Sequence, residues 1–311
     1  MRVLVTGAAG FLARPLLGRL RDDGHTVVTT DRVGDVDHVG DLADPAFTAG
    51  LPDVDAVVHA AAVQYVSADL PRFAQREYFR RNNVVATENL VRRYSGRVGH
   101  FLNVGTSMMY DQTGLPVYET TSPMRGTGVY SRSKLEAYRL VEAMDNPTAT
   151  MVPCIIGGVG REGLFRGFVQ SMTQQRLAII PGTGGHATNM VHVEDAAGLL
   201  ALIVKEQATG LYNAASPGPL TIDQWVDVIE ETLELPRVRR VHVPYPLIKA
   251  GAVATRYRVI AAEQLLMLGQ AHVLSIDTSL ALGWKPEYDN RRAVAAIARY
   301  IAGRPEAPAA G

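Results

Sequence analysis

The chain has 311 residues, 47% of them apolar and 20% charged, and its 31 basic and 31 acidic side chains cancel. That balance excludes the electrostatic footprint of a nucleic-acid or membrane-surface binder, and the length suits one α/β core with a smaller lobe attached. The single cysteine, Cys154, excludes an intrachain disulfide framework, and the opening MRVLVTG reads as a strand rather than a secretion signal, so the expectation is a soluble cytoplasmic protein without a membrane span.

In chain order, RVLVT, HTVVTT, DAVVHAAA, HFLNVG and TATMVP read as strands. Between them, FLARPLLGRLRDD, a long stretch near 72–95 and VYSRSKLEAYRLVEAM read as helices. Strands alternating with helices predict right-handed βαβ units and a parallel sheet, and strands that are apolar throughout predict helices on both faces. The fold class expected is α/β, a Rossmann-type doubly wound parallel sheet. Beyond residue 155 glycines crowd IIGGVGREG and PGTGGHATN, while VHV, GLYNAA and VRRVHV read as short strands. This divides the chain into a dinucleotide-binding domain over 1–155 with returns near 190–215, an interleaved substrate lobe over 156–302, and a disordered tail over 303–311.

Gly7, Gly10 and Ala13 form a G-x-x-G-x-x-A series between the first strand and the first helix. Glycine lets the backbone approach a pyrophosphate, and the helix start beyond it offers free N–H groups and the positive end of a dipole. Asp31 follows the second strand, 24 residues after Gly7. A carboxylate there accepts from a ribose 2′-hydroxyl and repels a 2′-phosphate, which favours NAD over NADP, although the neighbouring Arg32 keeps NADP open. Asp41 and Leu42 in GDL suit the adenine, and Ala60, Ala61 and Ala62 are small enough for a cofactor to lie against. Tyr130 and Lys134, four positions apart, share one helix face; that spacing permits chemistry without requiring it.

Taken together in this order, TGAAGFLA, GDL, VVHAAA, NVVATENL, FLNVGTSMMY, YSRSK, VHVEDAA and LGWKPE resemble the extended short-chain dehydrogenase/reductase superfamily, the NAD-dependent epimerase/dehydratase group, over nearly the whole chain. The resemblance implies that Tyr130 exchanges a proton with the substrate oxygen while hydride moves to or from the nicotinamide. A free phenol near pKa ≈ 10 is a poor base, so Lys134 supplies a positive charge and also binds the nicotinamide ribose. A hydroxyl residue four before Tyr110 orients the substrate oxygen; this gives Thr106, with Ser107 beside it as the other possibility. Asn83 is implied as support near the active site, and Phe11, Leu12, Pro153 and Ile156 complete the expected cofactor contacts. Relatives pair through the helix near 72–95 and the Tyr130 helix, so a homodimer is expected.

The chain also departs from that pattern. Where nucleotide-sugar enzymes carry an asparagine after RP, an arginine before DFxYVxD and an RPGD stretch, this sequence has Ile155, Thr188 and the run from Gly269 to His272. A diphosphate without those partners would be costly to bury, although Arg161, Arg166 and Arg256 could compensate. Thr106, Ser107 and Met108 stand where 4,6-dehydratases show Thr-Asp-Glu, which disfavours dehydration. The pocket is expected to draw on Gln64, Tyr65, Ser107, Met108, Met109 and Ile155. His186 and His192 lack the spacing and carboxylate company of a metal site, and Asp195 is expected to cap a helix. The expected activity is interconversion of a secondary alcohol and a ketone, nearer the 3β-hydroxysteroid dehydrogenase-like and ketone-reductase branch. The alternatives are a nucleotide-sugar 4-epimerase or 4-ketoreductase, and a non-catalytic dinucleotide sensor.

Overall fold

The computed structural model describes all residues except 66, 68, 161–162, 255–262, 264–268 and 305–311. The first half runs β1 (Arg2–Thr6), α1 (Ala13–Asp22), β2 (Thr26–Asp31), β3 (His38–Val39), α2 (Pro45–Ala49), β4 (Ala56–His59), α3 (Gln75–Phe79), α4 (Ala86–Tyr94), β5 (His100–Val104), α5 (Val129–Glu142) and β6 (Thr148–Pro153). There follow β7 (Ile155–Gly157), α6 (Gly163–Gln170), β8 (Leu177–Pro181), β9 (Ala187–Thr188), β10 (Met190–His192), α7 (Val193–Glu206), β11 (Gly210–Ala214), β12 (Leu220–Thr221) and α8 (Ile222–Thr232). The described chain ends with β13 (Arg239–Val243), α9 (Tyr245–Ala254), α10 (Asp277–Ala281) and α11 (Asn290–Ile301).

Seven strands form the central sheet in the order β11-β6-β5-β4-β1-β2-β3, every pair parallel. Period-two alternation divides the side chains between two faces. Val3, Val5, Ala56, Val58, Leu102 and Val104 join Leu16 and Leu20 of α1 and the buried side of α7 in one cluster. Leu4, Val57 and Phe101 face the other way, against Leu90 and Tyr94 of α4 and Val141 of α5. Each such side chain, fully withdrawn from water, contributes roughly 1.5–3 kcal/mol. With both faces covered, the strands are buried on both sides, the polar side chains they carry, such as Thr30, Asn103 and Thr150, included, and the expected doubly wound sheet is what forms.

A separate cluster holds the later elements together: Val169, Ala178, Ile180, Trp225, Val226, Ile229, Val294 and Ile297. Around it β13 pairs with β8, β10 with β7, and β12 with β9. Meanwhile β11 returns to the main sheet as its edge strand beside β6. The expected disordered tail lies largely outside the described residues.

The stretch near 72–95 is not one regular α-helix. Between α3 and α4 the backbone opens into a π-helical segment over Arg80–Val85. Asn83 in that segment turns fully inward: its Oδ1 accepts from the Val63 N–H at 2.9 Å, and its Nδ2 donates to the Val63 carbonyl and to Ser133 Oγ. Those long-range partners outweigh the regular helical register, as is common for π-bulges near functional sites. Among the described residues no helix is long and apolar enough to cross a membrane.

Candidate active site

At the C-terminal end of β1 the chain turns through Gly7 at φ +68°, where a Cβ would stand 2.7 Å from the Ala61 backbone. Only glycine fits this turn. The Gly10 N–H donates to the Gly7 carbonyl at 2.9 Å, and Ala13 is 1% exposed against the sheet, so α1 starts close to the strand ends. Asp31 closes the far side: its Oδ2 accepts from the Ala9 N–H at 3.0 Å and its Oδ1 from its neighbour Arg32 at 2.6 Å. The Arg32 guanidinium is engaged with Asp69 and Asn82. A glycine turn that admits no Cβ, a helix start and a carboxylate at the next strand end fit a dinucleotide. Phe11 and Leu12 follow the turn half-buried, with the Phe11 ring beside Gly158 and Gly160. Ala60, Ala61 and Ala62 line the end of β4, and Pro153 and Ile156 lie at the end of β6 and in β7. Asp41 pairs with Arg81 at 2.7 Å, while Leu42 is buried in the core and presents its carbonyl to Asn89.

Tyr130 and Lys134 lie on the inward face of α5 at 6% and 3% exposure. Burial pulls Lys134 down to about 8. The ring of Tyr130 packs edge-on against Tyr65 at 5.8 Å and beside Phe79 at 5.6 Å, with Val63 and Met108 in the same cluster. Behind the pair runs a buried polar chain. Ser133 Oγ donates to the Tyr130 carbonyl at 2.6 Å, Asn83 donates to Ser133, and Thr87 donates to the Asn83 carbonyl at 2.6 Å. Thr87 Oγ1 meets His59 Nε2 at 2.9 Å, and His59 Nδ1 meets Thr6 Oγ1 at 2.8 Å. Burial and the nearby Lys134 charge depress His59 to about 3, so it stays neutral in this chain. The network ties β1, β4, the π-segment and α5 into one rigid frame.

Thr106 lies two residues beyond β5 and caps the short 3₁₀ turn Ser107–Met109, its Oγ1 accepting from the Met108 N–H at 3.4 Å. The expected pocket residues divide there. Met108 packs with Tyr130, but Met109 is 0% exposed in the main core, because the turn aims it inward against Gly105. Met109 is therefore core and not pocket lining. Ser107 is buried, its hydroxyl 2.7 Å from His272 Nε2. Gln64 is half-buried on the loop carrying Tyr65, and Ile155 packs at the margin of the second cluster.

Two residues brought to the site have no motif to announce them. Glu263, 2% exposed, accepts from the N–H groups of Tyr130 and Ser131 at 3.0 and 3.1 Å and from the Tyr65 hydroxyl at 2.7 Å. Burial first, then the Glu263 charge, pushes the Tyr65 phenol well above its usual range. His272 is the second. The sequence hint for Glu263 is an ionisable residue in an otherwise apolar stretch, and His272 closes the Gly269–His272 run that stands in place of RPGD.

Asp195 is not the cap of α7. His192 occupies that position, accepting from the Glu194 N–H, while the Asp195 carboxylate reaches across to the N–H groups of Glu287 and Tyr288 at 2.8 and 2.9 Å. His192 stacks on Tyr288 at 3.7 Å and His186 is exposed. Among the described residues no three His, Cys, Asp or Glu side chains gather as metal ligands. Thr188 is 6% exposed and bridges to His272, Arg166 is exposed on α6, and Arg161 and Arg256 lie outside the described residues.

Comparison with known proteins gives the family and the fold. The NAD dependent epimerase/dehydratase family model matches residues 3–215. The chain is similar to a 3-diazoavenalumate denitrifying reductase of Streptomyces sp, 26% identical over 94% of this chain and 98% of that one. It is similar to a 2-alkyl-3-oxoalkanoate reductase of Stenotrophomonas maltophilia (strain K279a), 25% identical over 82% of this chain and 83% of that one. Among solved structures, MoeE5 in complex with UDP-glucuronic acid and NAD superposes with a TM-score of 0.77 at 21% identity, covering 97% of this chain and 99% of that one, a likeness of fold. The chain belongs to the NAD dependent epimerase/dehydratase family of extended short-chain dehydrogenases/reductases and is an NAD-dependent enzyme.

Proposed function

We propose that the enzyme interconverts a secondary alcohol and its ketone by hydride transfer, with Tyr130 moving the accompanying proton. The observation that carries this reading is the burial of Tyr130 and Lys134 together on the inward face of α5, in a frame fixed by Asn83 and Ser133. NAD, when bound, supplies or accepts the hydride. Gly7, Gly10 and the start of α1 hold its pyrophosphate, and Asp31 its adenosine ribose. In reduction the Tyr130 phenol gives its proton to the carbonyl oxygen; in oxidation the phenolate takes the proton of the alcohol. Lys134 favours the phenolate by its charge, and Thr106 orients the substrate oxygen. Val63, Tyr65, Phe79 and Met108 surround Tyr130 with apolar surface that excludes water.

The substrate in this reading carries no nucleoside diphosphate. Ile155, Thr188 and the Gly269–Ala271 run offer no cation at places where a diphosphate needs partners, and two similar proteins are named as reductases. Losing several hydrogen bonds to a charged group, about 1.5–3 kcal/mol each, should leave such ligands weakly bound. The test is a panel of ketones with NADH, followed by loss of reduced-cofactor absorbance, beside calorimetric titration of the NAD-loaded enzyme with UDP and dTDP. Turnover of ketones without nucleotide binding supports the reading. Micromolar UDP or dTDP binding without ketone turnover overturns it in favour of a nucleotide-sugar 4-epimerase or 4-ketoreductase. The same reading takes the enzyme as a homodimer paired through α3, α4 and α5, which a light-scattering mass of one chain would contradict.

A further inference from the structure

Ser107, next to Thr106 on the turn that packs Met108 against Tyr130, is held by a side chain from the far end of the sequence. His272 is 0% exposed, and its Nε2 lies 2.7 Å from Ser107 Oγ. Backbone bonds to β9 and the residue after it fix it there: the His272 N–H donates to the Ala187 carbonyl at 2.9 Å, and its carbonyl accepts from the Asn189 N–H at 3.2 Å. Its other ring nitrogen, Nδ1, faces Gln112 Oε1 at 3.2 Å.

The direction of these bonds follows from what each partner can do. Gln112 Nε2 donates to the Tyr110 carbonyl at 3.0 Å, and carbonyls only accept, so the amide nitrogen must face that way. Gln112 Oε1 is then the atom turned to the ring, and Gln270 Nε2 also donates to it, at 3.4 Å. An acceptor at Nδ1 requires the proton on Nδ1. Burial depresses the ring to about 4, so near neutral pH Nε2 carries only a lone pair and accepts the Ser107 proton. The serine hydrogen is thereby committed, and its oxygen retains lone pairs alone.

We propose that His272 locks Ser107 as a hydrogen-bond acceptor, so that the site selects alcohols and ketones bearing a donor, a hydroxyl or an N–H, on the atom beside the reacting carbon. This rests on the alcohol–ketone reading above and narrows it to substrates of the α-hydroxy ketone, vicinal diol or α-amino type. A substrate with hydrogen in place of that donor leaves a buried acceptor unmet, which is the kind of mismatch that polar sites reject strongly. His272 is a positioning residue here: it acts through Ser107 and need not touch the substrate. It also makes selectivity depend on the second lobe, since β9 holds the histidine that orients a hydroxyl on the β5 turn.

The test compares 2-hydroxycyclohexanone with cyclohexanone as NADH-linked substrates of the parent enzyme, Ser107→Ala and His272→Phe. The parent should favour the hydroxy ketone by about tenfold or more in kcat/KM, the worth of one hydrogen bond. In Ser107→Ala the ratio should fall to about one, and in His272→Phe, where the serine proton is released, below about threefold. Nitrogen-15 NMR of histidine-labelled protein reads the tautomer independently, and should show Nδ1–H with an Nε2 signal that shifts in Ser107→Ala. A ratio unchanged across the three proteins, or an Nε2–H tautomer in the parent, overturns the proposal. If neither ketone is turned over by any of them, the alcohol–ketone reading fails, and the tautomer decides the lock by itself.

Discussion

Glu263 places its Oε1 3.0 Å from the backbone nitrogen of Tyr130, capping α5 from 133 residues away. Its other oxygen takes the Ser131 N–H, and the Tyr65 hydroxyl shares Oε1. Gly128 makes room for it, since a Cβ there would overlap the carboxylate. An N-terminal helix end normally finds such an acceptor on its own N-cap side chain, and glycine has none.

Glu263→Ala should therefore leave three donors unmet, two of them buried, and lower stability by about 2–4 kcal/mol, read as a fall in the denaturant midpoint. Glu263→Gln keeps one carbonyl acceptor and should lose less than half as much. Equal midpoints for Glu263→Ala and the parent would show that the cap is not formed in solution.

In the proposed reading cofactor choice rests on Asp31, whose carboxylate stands beside the glycine turn through the Ala9 N–H. The Arg32 guanidinium is turned to Asp69 and Asn82. Asp31→Ala is expected to weaken NADH about tenfold or more and to narrow the gap to NADPH, measured by fluorescence titration. Equal affinity of the parent for both cofactors would contradict the assignment.

The pH dependence has two windows. His59, His192 and His272 are at most 3% exposed, and burial holds them near 3, 4 and 4, below the 6.5 of an unfolded histidine. Between those values the unfolded chain binds more protons than the folded one, so stability rises with pH there and is lost on acidification. The melting temperature should hold down to about pH 6.5 and fall by about 10 °C or more by about pH 4.5. Lys134 gives the alkaline window. Its folded value near 8 lies below 10.5, so as pH climbs between them the group's unfavourable burial is relieved while the charge that the proposed mechanism assigns to Lys134 disappears. Catalytic efficiency in reduction should decline above about pH 8 without a loss of stability. A melting temperature unchanged to about pH 4.5 would contradict the acid window.

The sheet, the glycine turn and the shared helix face of Tyr130 and Lys134 were legible because their signals are local. Gly7, Gly10 and Ala13 sit in one turn, Asp31 follows on the next strand, and Tyr130 and Lys134 are one helical turn apart. The π-segment was not, since it depends on Asn83 meeting Val63 and Ser133, and no periodicity in residues 80–85 encodes partners elsewhere. Asp195 was misplaced for a related reason: its backbone partners at 287–288 are 92 and 93 residues away, and a neighbouring histidine fills the cap. His272 and Glu263 reach the site across 165 and 133 residues, from a lobe whose path the family motifs leave free.

The central claim is that the Tyr130 hydroxyl carries the proton that accompanies hydride transfer. Tyr130→Phe keeps the ring packed against Tyr65 and Phe79 and removes only the exchangeable proton. Measured beside the parent with the best ketone of the panel, this variant should bind NADH with unchanged affinity while kcat falls by about 10²-fold or more. A Tyr130→Phe enzyme that turns over within about threefold of the parent would contradict the account and leave Tyr130 as packing alone.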